Sequence, residues 1–122
     1  MGTDRRLNVA IADDDPTMRR AFELLLRAIG HTVACTATDG DESVRKCVDA
    51  QVDLAFVDLH MPVMDGLEAA EILATKSIPV VLVSGHSDAT EIVLENEPLV
   101  TLIRKPAPLC EIQTAMDLTI GR

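Results

Sequence analysis

The chain has 122 residues, 48% of them hydrophobic, and carries eleven basic residues against twenty acidic ones. That length supports one hydrophobic core and leaves no room for a second, so a single domain over residues 1–122 without a separate output domain is expected. A net charge of −9 repels phosphate backbones and argues against nucleic acid as a partner, whereas a cation suits it. No stretch approaches the roughly 18 apolar residues of a membrane span. The start, Met1 to Asn8, is polar with no signal-peptide apolar region. Cys35, Cys47 and Cys110 are odd in number and widely spaced, with no CxxC pair, so neither a disulfide framework nor a zinc site is indicated. All three lie in apolar periodic segments and are expected to pack in the core, and a reducing cytoplasm fits them best.

Leu7 to Ala12 reads as a strand, followed by a helix from Pro16 to about Ile29, where Phe22, Leu25, Leu26 and Ile29 keep helical spacing. Asp15 as N-cap and Pro16 at the first helical position mark its start. Thr32 to Thr36 is a second strand. Asp39 and Glu42 are spaced as a capping box for a helix running to about Ala50, with Val44, Cys47 and Val48 as its apolar face. Leu54 to Val57 is a continuous apolar run, as a central strand buried on both faces requires, and Asp58 ends it abruptly. A third helix runs from Leu67 to about Thr75, with Asp65 and Glu68 again at cap spacing. Pro79 to Val83 is a fourth strand ending at Ser84. Asp88 to Glu95 makes a weak, short helix, broken by Asn96 and Pro98. Leu99 to Arg104 is a fifth strand, and Leu109, Ile112, Ala115, Met116 and Ile120 form the stripe of a last helix. This alternation is that of βαβ units around a parallel sheet.

Four polar sites then fall at strand ends: Asp13-Asp14-Asp15, Asp58, Ser84 and Lys105. In an open parallel sheet ligands bind outside the carboxyl ends of the strands, so these distant residues converge on one pocket. With the first and third strands adjacent, Asp13, Asp14 and Asp58 crowd together, and either one carboxyl stays protonated or a divalent cation sits among them. Magnesium prefers such oxygen ligands and keeps positions open for water and phosphate. Asp58 suits a phosphoryl acceptor, Lys105 supplies positive charge and Ser84 a hydrogen-bond donor. Taken singly, each has a plainer reading as a helix cap, a turn residue or a solvated loop cation. Their joint placement at four strand ends sets those readings aside.

With these sites placed, the chain resembles the receiver domains of bacterial two-component response regulators, chemotaxis-regulator-like, over nearly its whole length. The matching stretches are Val9 to Arg20 (VAIADDDPTMRR), Asp53 to Gly66 (DLAFVDLHMPVMDG), Val80 to Gly85 (VVLVSG) and Ile103 to Pro106 (IRKP). The resemblance implies a doubly wound, flavodoxin-like α/β fold of five parallel strands in the order 2-1-3-4-5 with five helices. It also implies that Asp58 accepts a phosphoryl group from a phosphohistidine on a sensor histidine kinase or histidine phosphotransfer protein. Asp13 and Asp14 would hold Mg2+ with Asp58 and the backbone carbonyl of His60. Ser84 would follow the phosphoryl group, Lys105 would contact it, and the Lys105-Pro106 bond would be cis. A downstream protein target would read the result, with catalysis limited to the domain's own phosphorylation and dephosphorylation.

The sequence departs from the family in two places. Leu102 stands where the family has a switch aromatic, and Phe22 and Phe56 are the only aromatics in the chain. Glu95 to Pro98 replaces the usual Gly-Ala segment, so an unusual output face with a short fourth helix is expected. His60 and His86 follow Asp58 and Ser84 by two residues and flank the pocket, either tuning hydrolysis of the acyl phosphate or lying as plain loop histidines. His31 is expected to be structural. Arg19, Arg20 and Arg27 lie on the polar side of the first helix, as a solvated face or a docking site for the kinase. Two rival readings use the same residues. One is a pseudo-receiver that binds partners without phosphorylation; the other is a phosphatase of the haloacid-dehalogenase type with Asp13 as nucleophile, which leaves Asp58 unexplained.

Overall fold

Short apolar strands and aspartate-capped helices alternate along the chain, whose computed structural model describes residues 6–85, 99–105 and 107–120. In order they are β1 (Asn8–Ala12), α1 (Pro16–Ala28), β2 (Thr32–Ala37), α2 (Gly40–Ala50), β3 (Leu54–Asp58), α3 (Gly66–Thr75), β4 (Val80–Ser84), β5 (Val100–Arg104) and α4 (Leu109–Ile120). The helix expected over 88–95 and its shortness lie outside the described residues. Three helix starts follow their predicted caps. The Asp15 carboxylate accepts from Thr17 N at 2.9 Å, Asp39 from Glu42 N at 2.8 Å and Asp65 from Glu68 N at 2.9 Å. The capping box of α2 differs in one detail. The Glu42 carboxylate reaches past the cap residue to accept from both N and Oγ1 of Thr38, at 2.7 and 3.0 Å, which holds its pKa down at about 2.

The five strands form one sheet in the order β2-β1-β3-β4-β5, every pair parallel, as the resemblance implies. The central strands β3 and β4 are buried at every position, which their unbroken apolar runs require. At the edge, β2 carries a bulge opposite Val9 and Ala10, so that Ala10 pairs with Cys35. The two sheet faces pack separate cores. Val9, Ile11, Leu54, Phe56, Val81, Val83 and Ile103 meet Leu26 of α1 and Ile112 and Met116 of α4. Ala10, Ala12, Ala55, Val57, Val80, Leu82 and Val100 meet Cys47 of α2 and Ala69, Ala70 and Leu73 of α3. Of the cysteines expected in the core, Cys47 is buried and Cys35 half-buried, but Cys110 is exposed. It sits in the first turn of α4, off the stripe formed by Ile112, Ala115 and Met116.

Strand alternation then decides which way the strand ends face. Asp13 continues Val9 and Ile11, Asp58 continues Leu54 and Phe56, and Lys105 follows Ile103, so all three belong to the α1/α4 side. Ser84 continues Val80 and Leu82, and Leu102 packs with them, on the α2/α3 side.

The β3–α3 loop is held by close backbone approaches. A Cβ on Gly66 would lie 2.1 Å from the Asp58 carbonyl oxygen, and one on Gly40 would lie 2.1 Å from that of Met64. Between them Val63 adopts φ 71° while Met64 N donates to the Pro62 carbonyl at 2.7 Å, a tight γ-turn in the left-handed region that disfavours a β-branched residue.

Candidate functional site

The pocket at the carboxyl ends of β1, β3 and β5 brings together four of the predicted residues. Asp13 and Asp58 are buried and Asp14 is exposed, and each offers a carboxylate oxygen, the three lying within 4.8 Å of one another. Lys105 Nζ lies 2.7 Å from Asp58 Oδ1 and 3.3 Å from Asp13 Oδ2. The backbone aims these groups. Asp13 N donates to the Ala37 carbonyl at 3.0 Å, Leu59 N to that of Val83 at 2.8 Å and Lys105 N to that of Ser84 at 2.7 Å. Asp13 is further fixed by its Oδ1, which accepts from Asp15 N at 2.9 Å.

Burial raises the Asp58 pKa above the ordinary carboxylate value; the Lys105 ammonium opposes the rise, while the charges of Asp13 and Asp14 add to it. Burial alone would pull the Lys105 ammonium down, but its hydrogen bond to Asp58 and the charges of Asp58 and Asp13 outweigh this, and its pKa moves up. One ammonium therefore stands against three carboxyls. Beside the cluster lies an apolar cavity of about 180 Å³ between α1 and α4, which Asp13, Asp58 and Lys105 line together with Phe22, Phe56 and Ile112. The two rings on its wall meet edge to face, centroids 4.9 Å apart.

Oxygen donors, burial and an excess of negative charge fit a hard divalent cation, which would offset the mutual repulsion that one lysine leaves in place.

The other predicted residues are placed differently. The Ser84 hydroxyl is buried and donates to the Gly85 carbonyl at 3.1 Å, so its backbone, more than its side chain, meets the cluster here. Leu102 is half-buried beside Leu82, its partner in register. His60 is exposed at the loop start, and His86 and Pro106 lie outside the described residues. His31 is structural, its Nδ1 accepting from Leu7 N at 3.2 Å. Arg19 was expected on the free polar face of α1, but its Nη1 donates to the Asp13 carbonyl at 2.8 Å, folding it back over the β1–α1 turn. Sequence spacing alone does not reveal that bond, because it depends on the turn made by Asp14 and Asp15. Arg27 is held by Glu23 at 2.8 Å, while Arg20 keeps a looser contact with the same residue at 3.6 Å.

Residues 9–117 match the family model described as the response regulator receiver domain. Among curated proteins the chain is similar to Protein PilG of Pseudomonas aeruginosa, 38% identical over 82 residues that cover 64% of this chain and 60% of that one. It is also similar to the protein-glutamate methylesterase/protein-glutamine glutaminase of Nitrosospira multiformis, 34% identical over 88 residues, 70% of this chain and 25% of the relative. The chain thus spans only about a quarter of that relative's length. Among solved structures, the response regulator domain of Thermotoga maritima CheB aligns with TM-score 0.73 and 27% identity, covering 93% of this chain and 91% of that one. The receiver domain of Erythrobacter litoralis PhyR, at 24% identity, TM-score 0.78 and coverage of 95% and 91%, shares the fold. With strand order, converging carboxylates and family match in agreement, the chain belongs to the response regulator receiver domains of two-component signalling.

Proposed function

We propose that this receiver domain accepts a phosphoryl group on Asp58 from a phosphohistidine donor, in a magnesium-dependent reaction, and signals by protein–protein contact. The observation that carries this reading is the placement of Lys105 Nζ 2.7 Å from one Asp58 oxygen, beside three carboxylates whose oxygens lie within 4.8 Å of each other. Asp13, Asp14 and Asp58, with the His60 carbonyl, would hold Mg2+. When bound, the ion would neutralise charge on the carboxylates and on the arriving phosphoryl oxygens.

The chain's own residues supply the rest. Asp58 is the nucleophile: its oxygen bonds to phosphorus as the bond to the donor imidazole breaks, giving an acyl phosphate. Lys105 holds the carboxylate in place beforehand and stabilises the added negative charge afterwards. Ser84 donates to a phosphoryl oxygen once its hydroxyl leaves the Gly85 carbonyl, a single rotation about its side-chain bond. That rotation takes place beside Leu102, which fills the switch position without an aromatic ring. His60, exposed at the start of the loop after Asp58, is the described candidate for tuning hydrolysis of the acyl phosphate; His86, the other candidate, lies outside the described residues. Arg20, exposed on α1 and only loosely paired, is the better-placed cation for docking an acidic donor surface; Arg19 instead steadies the Asp13 turn. The setting is cytoplasmic, and among the described residues no helix is long and apolar enough to cross a membrane.

Intact-mass measurement after incubation with acetyl phosphate and magnesium tests the proposal. One phosphate adduct is expected on the wild type, absent without magnesium and absent in Asp58→Asn. No adduct from acetyl phosphate or from any histidine phosphotransfer donor would overturn it in favour of a binding module that works unphosphorylated. An adduct that survives Asp58→Asn but not Asp13→Asn would instead point to Asp13 as nucleophile.

A further inference from the structure

The cavity between α1 and α4 joins two kinds of surface that phosphoryl transfer does not need together. Three strands each send an apolar side chain into it and, two residues further on, a charged one: Ile11 then Asp13, Phe56 then Asp58, Ile103 then Lys105. Residues two apart on a strand share a face and lie about 6.6 Å apart along it, so an apolar tier sits one step below a charged tier. The volume of about 180 Å³ exceeds the roughly 150 Å³ that suffices for benzene in an apolar cavity. Phe22 and Phe56, edge to face at 4.9 Å, give the apolar tier an aromatic wall. The cavity is open to solvent at α1, where Met18 is 38% exposed and Ala21 is also exposed.

The charged tier decides the sign of a ligand. Lys105 engages Asp58 Oδ1 at 2.7 Å and Asp13 Oδ2 at 3.3 Å, and Asp13 Oδ1 accepts from Asp15 N. Asp58 Oδ2 is left without a partner among the described residues, on a side chain that is only 10% exposed and lines the cavity. With Asp14 included, three carboxylates face one ammonium, so a cationic head finds attraction and an anionic head adds to an existing excess. We propose that this cavity is a binding site for a small arylalkyl ammonium, its ring between α1 and α4 beside Phe22 and Phe56 and its ammonium at the carboxylates of Asp13 and Asp58.

Size and spacing narrow the class further. The volume holds one ring and a short link but not a drug-sized molecule, which needs about 300 Å³ or more. The step of about 6.6 Å between tiers suits a two-carbon link between ring and nitrogen. A bare metal ion satisfies the acids but leaves the apolar tier unfilled, and a purely apolar molecule leaves Asp58 Oδ2 unpartnered. The site does not depend on Asp58 acting as a phosphoryl acceptor. Because the two uses share the Asp58 oxygens, an occupant would exclude magnesium and the phosphoryl group while it stays bound.

The test is a titration of the full chain with 2-phenylethylammonium chloride in chelator, followed by methyl NMR. Half-saturation at about 1 mM is expected for so small a ligand. Shifts should appear at the methyl groups of Met18, Ile103 and Ile112, which line the cavity, and not at Leu73 on the other face of the sheet. Ethylammonium, which lacks the ring, and phenylacetate, which reverses the charge, should each bind at least about tenfold more weakly. Asp58→Asn should weaken the amine by about tenfold through the lost charge. Ala21→Leu, which fills the mouth from α1, should weaken it as much; should that variant fail to fold, the ligand series on the wild type decides alone. Ethylammonium or phenylacetate binding as tightly as the arylalkyl amine, shifts centred away from the cavity, or no saturation below about 20 mM would each overturn the proposal. No phosphodonor is present, so a chain that never accepts phosphate can still bind the amine, and the two readings fail separately.

Discussion

Replacing Asp58 by asparagine should make this domain more stable when magnesium is absent, because the native residue is held in a charge balance that does not favour its ionised form. Carboxylate oxygens within 4.8 Å repel by at least about 3.5 kcal/mol per pair at an effective dielectric of 20. Asp58 has two such neighbours, about 7 kcal/mol in all, although solvent screening weakens the share of exposed Asp14. Lys105 at 2.7 Å returns about 6 kcal/mol on the same scale. The Coulomb terms nearly cancel, and burial then raises the pKa. Folding therefore disfavours the ionised carboxylate relative to its state in the unfolded chain. The contribution of the protonated acid is fully present below the unfolded value of 3.8 and is lost as pH rises through the higher folded value. At neutral pH the amide removes the unfavourable ionisation while its oxygen still accepts from Lys105. A gain of about 1 kcal/mol, or about 4 °C in Tm, is expected in chelator. Magnesium at ten times its dissociation constant should stabilise the wild type by about 1.4 kcal/mol and the variant far less. With no Trp or Tyr in the chain, urea unfolding must be followed by circular dichroism. A variant less stable than wild type in chelator, yet stabilised equally by magnesium, would refute this account of the site's electrostatics.

Three further outcomes are expected. Val63→Asn should stabilise the fold by about 1 kcal/mol, since asparagine tolerates the φ of 71° that valine resists and the side chain is 84% exposed; an unchanged urea midpoint would contradict that. Gly66→Ala should destabilise by more than about 2 kcal/mol, because its Cβ would meet backbone, the Asp58 carbonyl, at 2.1 Å, and should also impair phosphorylation by displacing Asp58; a near-neutral effect on both would mean that the loop yields freely. His31 has its pKa lowered by burial and accepts from Leu7 N, so the neutral ring is favoured on folding and stability should fall as pH drops below the unfolded value of 6.5. His31→Gln should flatten the Tm profile just below the unfolded value of 6.5; an unchanged slope would place the titration elsewhere.

The order of elements and the strand-end carboxylates were legible because they rest on local rules. Asp15, Asp39 and Asp65 each cap the helix their spacing announces, and the apolar runs of β3 and β4 are buried throughout. What escaped depends on contacts between elements. The bond from Arg19 to the Asp13 carbonyl needs the finished β1–α1 turn, and the packing of Cys35 and Cys47 into one core cluster needs α2 laid on β2. Cys110 was misjudged because a residue in the first turn of a helix can fall beside its apolar stripe. Val63 offered no signal at all: nothing in Pro-Val-Met announces a positive φ, and the strain is imposed by the loop that ties Gly66 to Leu59.

The alternation of side chains along the strands has a further consequence. The sheet works as a wall with the acids and Lys105 on one side and the Ser84 and Leu102 side chains on the other. The bond from Lys105 N to the Ser84 carbonyl is a hinge pin set through that wall. Under the proposed reaction, charge added on the near side would bear on the backbone of β5 and, through it, on the packing of two aliphatic neighbours on the far side, Leu82 and Leu102. In the proposed reaction the Ser84 hydroxyl is the one group that turns from the far side to the near one, and the backbone bond from Lys105 ties the end of β5 to that same residue.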